Sequence, residues 1–219
     1  MYFPDGVENI AKTKRRNPHM HNQTDNSTQF IEETIVKKYE SITNYLIKHK
    51  LTISTMESCT AGMVASFLTD TEGSSATLKG AYITYCNEAK IKQGVPAETI
   101  DKNGVYSKET ALAMAAACMD SYSADIGIGV TGTLGNTDPN NTDSIPGEVH
   151  IGLIIPDNTS TTSDTPDADS NSPDNTFTCL CHACSFTLPS ASSRHEYKLI
   201  VTDLIADEII NKLLPIDTK

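Results

Sequence analysis

The sequence predicts an α/β fold: a three-layer α/β/α sandwich around a mixed sheet, in a single domain. Three observations lead there. Strand-like and helix-like segments alternate between residues 30 and 215, amphipathic helical patterns open and close that span, and short apolar runs with turn residues lie between them. With 219 residues and 38% hydrophobic content, the chain can bury one sizeable core but not two.

Taken in order, residues 1–29 are polar and patternless, with a basic run Lys12-Thr13-Lys14-Arg15-Arg16, and read as a disordered tail whose basic run is solvated. Over 31–48, Ile31, Ile35, Tyr39, Ile42 and Leu46 recur at helical spacing and predict an amphipathic helix. Residues 51–56 alternate and are rich in β-branched types, so they predict a strand; Glu57-Ser58-Cys59-Thr60-Ala61-Gly62 then turns the chain into a helix reaching about Leu68. A second strand is expected over 78–86 and one or two helical turns over 87–93. Ser107 is the expected N-cap of a helix running to about Tyr122, with Thr110 at its third position. Buried strands follow over 124–130 and 148–155, separated by a long Gly/Asn/Thr/Asp loop that is either functional or plain disorder. Residues 157–176 form an acidic, low-complexity insertion. A strand over 177–188 and a helix over 193–214, with Tyr197, Ile200, Leu204, Ile205, Ile209 and Leu213 on one face, close the domain.

A net charge of −11 argues against nucleic acid and anionic membranes as partners, because phosphate binding leans on clustered Lys and Arg. Part of that charge sits in the insertion, where Asp157, Asp164, Asp167, Asp169 and Asp174 occur with no cation among them. No stretch approaches the ~20 apolar residues of a membrane helix, and residues 1–26 lack the apolar block of a secretory signal, so a cytoplasmic protein is expected. The six cysteines do not read as a disulfide framework.

Reactive side chains gather at three turns. In Glu57-Ser58-Cys59-Thr60-Ala61-Gly62, backbone donors at a helix start suit an anion or amide, and Cys59 is either a thiolate nucleophile activated by that terminus or an inert thiol in a close-packed turn. The second place pairs Gly73-Ser74-Ser75 with Tyr85-Cys86-Asn87-Glu88-Ala89-Lys90. A serine hydroxyl attacks only if a base takes its proton, and Lys90 can do so if burial and the positive end of a helix lower its pKa from ~10.4. Tyr85 would assist; alternatively the serine caps a turn and the lysine is solvated. The third is Thr131-Gly132-Thr133-Leu134-Gly135-Asn136, a glycine-bearing loop that either cradles a phosphate or is simply a turn. Arg194, at the head of the last helix, is a phosphate clamp or a surface residue. In Cys179-Leu180-Cys181-His182-Ala183-Cys184, alternate residues of a strand face opposite ways, so four ligands do not converge on one ion and core thiols are the expected reading.

In order and spacing, these turns, with Gly94-Val95-Pro96-Ala97-Glu98-Thr99, Gly104-Val105-Tyr106-Ser107 and Val130-Thr131-Gly132, resemble the CinA C-terminal domain family. The resemblance covers about 30–155 well and the last helix loosely. It implies an amidohydrolase of pyridine-nucleotide salvage that deamidates nicotinamide mononucleotide to nicotinate mononucleotide and ammonia, with no cofactor and no metal, in a chain that self-associates as a dimer or larger homo-oligomer. Carried over by position, it puts the nucleophile on Ser75, the assisting tyrosine on Tyr85 and the base on Lys90. Substrate contacts fall on Ser58, Cys59, Thr60, Gly62, Asn87, Thr131, Gly132 and Arg194. The family's Gly-Ile-Ala-Gly-Pro loop is here Gly132-Thr133-Leu134-Gly135-Asn136, its Thr-Gly-Gly turn is Thr60-Ala61-Gly62, and its aromatic strand residue is His150. The alternative function is a pyridine-nucleotide-binding regulatory module that keeps the pocket without the reaction.

Overall fold

A computed structural model describes residues 22–141, 144–157 and 178–214. Five strands form one mixed sheet in the order β2-β1-β3-β4-β5. Strand β1 (Ile53–Glu57) pairs in parallel with β2 (Leu78–Ile83) and with the central β3 (Ile126–Gly132), while β4 (Glu148–Pro156) runs antiparallel to β3 and to the edge strand β5 (Cys179–Thr187). Helices α1 (Asn22–His49), α2 (Met63–Thr69) and α6 (Arg194–Leu213) cover one face. On the other lie α4 (Ala97–Asn103) and α5 (Lys108–Tyr122), with the short α3 (Asn87–Lys92) at the sheet's edge. The expected three-layer sandwich is the observed one.

The larger core joins Ile35, Tyr39, Ile42 and Leu46 of α1 to Ile126, Ile128, Val130, Ile151 and Leu153 of the sheet. Tyr39, wholly buried, donates its hydroxyl to the Thr202 carbonyl at 3.0 Å, so the aromatic body fills the core and its polar tip ties α1 to α6. Helix α1 starts at Asn22 rather than near residue 30, because its polar first turns carry no apolar stripe for periodicity to detect. Helix α4 was not anticipated over 97–103, where seven residues give too few turns to display a period. The stripe of α6 is rotated from expectation: Leu199, Val201, Thr202 and Ala206 are buried, whereas Tyr197, Ile200 and Leu204 are only partly so. Ser107 does cap α5, accepting from the Thr110 N–H. Of the tail expected over 1–29, residues 22–29 belong to α1 instead, and residues 1–21, like nearly all of the acidic insertion, lie outside the described residues.

Close approach of α5 to the sheet dictates glycine on β3 and β4. A Cβ added at Gly129 would lie 2.0 Å from the Ala111 carbonyl oxygen, and one at Gly152 would lie 2.4 Å from the same atom. These obstacles are backbone and cannot swing aside. Gly129→Ala should therefore cost about 3 kcal/mol by overpacking, read as a lower denaturant midpoint at unchanged slope.

Candidate active site

Strands β1 and β2 are parallel neighbours, so the turns following them meet at the carboxyl ends of the strands, where β3 also ends. After β1 comes Ser58, almost wholly buried, its N–H held by the Val130 carbonyl at 3.0 Å. Beyond β2 comes α3, which carries Lys90 inward until only 1% of it is exposed. Lys90 Nζ lies 3.1 Å from Ser58 Oγ and donates to the Thr84 carbonyl at 2.9 Å. Burial pulls the Lys90 ammonium down to about 8, against weaker opposing pulls from Cys59, Cys86 and Asp138. Lys90 belongs to the last turn of α3, so the positive helix end invoked from the sequence does not act on it; desolvation does.

Ser75 is elsewhere. It is exposed on a short 3-10 turn (Ser74–Ala76) that precedes β2, whereas Lys90 follows β2. A six-residue strand separates the two by about 20 Å, which removes Ser75 from any exchange of protons with Lys90. Ser58, expected only to touch substrate, is the hydroxyl beside the amine.

The turn after β1 is organised by Glu57. Its carboxylate, fully buried, accepts hydrogen bonds from the hydroxyls of Thr55 and Thr60 and from the N–H groups of Gly62, Val64 and Ala65. The Thr60 hydroxyl and the Gly62 N–H are thus committed to Glu57 and face no ligand. Ala61 stands at φ 54°, a left-handed conformation that disfavours any side chain. Cys59 lines the cavity, yet burial pushes its thiol up to about 12, so it is no thiolate at neutral pH.

A cavity of about 450 Å³, within the range of small-molecule sites, opens beside the pair. Ser58, Cys59, Tyr85, Cys86, Gly132 and Arg194 line it. Tyr85, 64% exposed, accepts from Arg194 Nη2 at 3.3 Å, which brings the head of α6 to the rim. Thr131 is buried with its hydroxyl on the Val105 carbonyl, and Asn87 donates to Asn141; neither lines the cavity. Sequence reasoning missed Tyr106 and Asp138. The Tyr106 hydroxyl donates to Asp138 at 2.6 Å, and this bond, with those from Asn140 and Asn141, holds the Asp138 carboxyl below its ordinary range. The signals were an aspartate inside the long loop and the tyrosine of the Gly104-Val105-Tyr106-Ser107 string.

Fold and site together define an α/β/α domain with a lysine–serine pair sunk at the ends of its parallel strands, opening on a cavity of mixed polar and apolar lining. The profile of the CinA C-terminal domain family matches residues 36–181, and the chain belongs to that family. It is 44% identical over 118 residues to a CinA-like protein of Kosmotoga olearia, a match covering 53% of this chain and 28% of that protein. It is 44% identical over 116 residues to a putative competence-damage inducible protein of Halothermothrix orenii, covering 52% and 28%. The matched segment thus spans little more than a quarter of these curated relatives. Among solved structures, competence/damage inducible protein CihA from Agrobacterium tumefaciens superposes with a TM-score of 0.63 at 26% identity, over 81% of this chain and 94% of that one. Among the described residues, no helix is long and apolar enough to cross a membrane.

Proposed function

We propose that this protein is an amidohydrolase that deamidates nicotinamide mononucleotide through a Ser58 nucleophile and a Lys90 base, in the cytoplasm. The observation that carries the reading is the contact between Ser58 Oγ and the buried Lys90 Nζ. In its neutral form the amine keeps one N–H on Thr84 and turns its lone pair to the Ser58 hydroxyl. Ser58 Oγ attacks the carboxamide carbon as its proton passes to Lys90. The ammonium then returns a proton to the leaving nitrogen, ammonia departs, and water cleaves the acyl-enzyme, restoring the hydroxyl. In the Ser58 turn, the N–H groups of Ser58, Ala61, Gly62 and Met63 already bond Val130, Ser58, Glu57 and Thr60, and those of Cys59 and Thr60 meet the Cys59 sulfur, a weak acceptor that a developing oxyanion would displace.

The choice of substrate follows from charge. The cavity has a cationic guanidinium at one wall, Arg194, and an anionic carboxylate at another, Asp138. Nicotinamide mononucleotide is itself bipolar, with a pyridinium beside the reacting carboxamide and a phosphate at the far end. Arg194 suits the phosphate, and Asp138 the pyridinium and ribose hydroxyls. Uncharged nicotinamide would use neither.

Incubation with nicotinamide mononucleotide should release ammonia and raise the product mass by one dalton. Ser58→Ala should lower the rate by at least about 10³-fold, whereas Ser75→Ala should leave it unchanged. Normal turnover by Ser58→Ala would remove Ser58 from the mechanism. A thermal shift by the nucleotide without product would favour the binding-module alternative.

A further inference from the structure

The sequence run 179–184 contributes to a cluster that involves none of the catalytic residues. His182 and Cys184 lie two residues apart on β5 and so face the same side, toward α6. There Glu208 Oε2 meets His182 Nε2 at 2.7 Å. Cys184 also bonds Glu208, and one ligand atom from each of the three side chains lies within 4.8 Å of the other two. We propose that His182, Cys184 and Glu208 form a zinc(II) site that fastens the last helix to the edge strand of the sheet.

The donor set is the first argument. An imidazole nitrogen, a thiolate sulfur and a carboxylate oxygen are the three ligand types zinc takes, and their mixture suits a borderline-soft ion better than magnesium or calcium. Geometry is the second. Tetrahedral zinc bonds of ordinary length put ligand atoms about 3.3–3.6 Å apart, a value bracketed by the 2.7 Å and 4.8 Å of this cluster. Access is the third. The His182 and Glu208 side chains are 27% and 18% exposed, enough to admit an ion and leave water as the fourth ligand. Charge closes the case: a thiolate and a carboxylate balance the two positive charges of the ion, and Cys184 gives its proton to solvent on binding.

The site lies away from the catalytic pair. Glu208 is about 20 Å down α6 from Arg194, at a rise of about 1.5 Å per residue. An ion there stiffens the mounting of the helix whose head carries Arg194, and it touches no reacting atom.

The test uses the full chain stripped of metal. Cobalt(II), which reports zinc-like sites, should bind at one equivalent with a sulfur-to-metal charge-transfer band in the near ultraviolet, and zinc(II) should raise the melting temperature. Cys184→Ser should lose the band. Glu208→Gln, which keeps a hydrogen bond to His182, should lose the zinc-dependent shift while melting normally without metal. The double variant Cys179→Ser, Cys181→Ser should retain both signals, since those thiols face the opposite side of β5. No saturable binding in the wild type would overturn the site, as would a band that survives Cys184→Ser or vanishes in the double variant. Deamidation by the stripped protein should be no lower than about half its zinc-loaded value; complete dependence on zinc would overturn the placement away from catalysis.

Discussion

Lys90→Met should abolish deamidation and at the same time make the protein more stable at pH 7. The first effect is loss of the base, worth about 10²–10⁴-fold in rate. The second follows from the cost of holding an amine under the surface with only 1% of it exposed. A shift from 10.5 to about 8 corresponds to about 3 kcal/mol between the folded and unfolded forms of the charged group. Methionine relieves that cost, leaves the Thr84 carbonyl without its donor for about 1–2 kcal/mol, and comes out about 1 kcal/mol ahead. The pH dependence fixes the sign. Between about 8 and 10.5 the unfolded lysine holds a proton that the folded one has shed, so wild-type stability rises with pH across that window and is lost again as pH falls through 8. The advantage of Lys90→Met should accordingly be widest at pH 7 and reverse near pH 10, measured by denaturant melts at both. A wild-type rate that climbs with an apparent pKa near 8 would tie the same amine to catalysis.

That amine was legible in the sequence, whereas its partner was not. Periodicity finds α1 and α6, and the Ser107 cap finds α5, because stripes and caps are local signals that burial and helix ends require. Position 90 stood out because the helix after β2 presents a lysine in a recognisable string. Choosing between Ser58 and Ser75 needed topology: 32 residues separate Ser58 from Lys90, and proximity arises only because β1 and β2 run parallel side by side. A residue following one parallel strand meets residues following its neighbour, whereas Ser75 precedes β2 and belongs to the opposite end of the strands. Glu208 was invisible for a similar reason. Nothing local announces that a carboxylate on the last helix will face His182 and Cys184, since helix placement over a sheet is set by the whole core. Asp138 lay within a loop whose length suggested function, but loop conformation depends on contacts such as Tyr106 that no pattern encodes.

Glu57→Ala should destabilise the protein by about 3–5 kcal/mol, the largest loss expected of any single side chain near the site. Five donors converge on this carboxylate, and three of them are N–H groups at the start of α2, which as a seven-residue helix has little stability of its own. Truncation takes the acceptor from all three, with Val64 buried and Gly62 and Ala65 partly so. Glu57→Gln separates the roles. The amide keeps one accepting oxygen but turns two N–H donors toward groups that are themselves donors, for a cost of about 2–3 kcal/mol. Because Glu57 immediately precedes Ser58 and fixes Thr60 and Gly62 after it, the surviving folded protein should show a lower kcat with KM little changed: the nucleophile is displaced by fractions of an ångström while Arg194 and Asp138 still hold the substrate. If Glu57→Gln melts like the wild type and turns over normally, the turn is positioned by backbone packing alone and the carboxylate is dispensable to it.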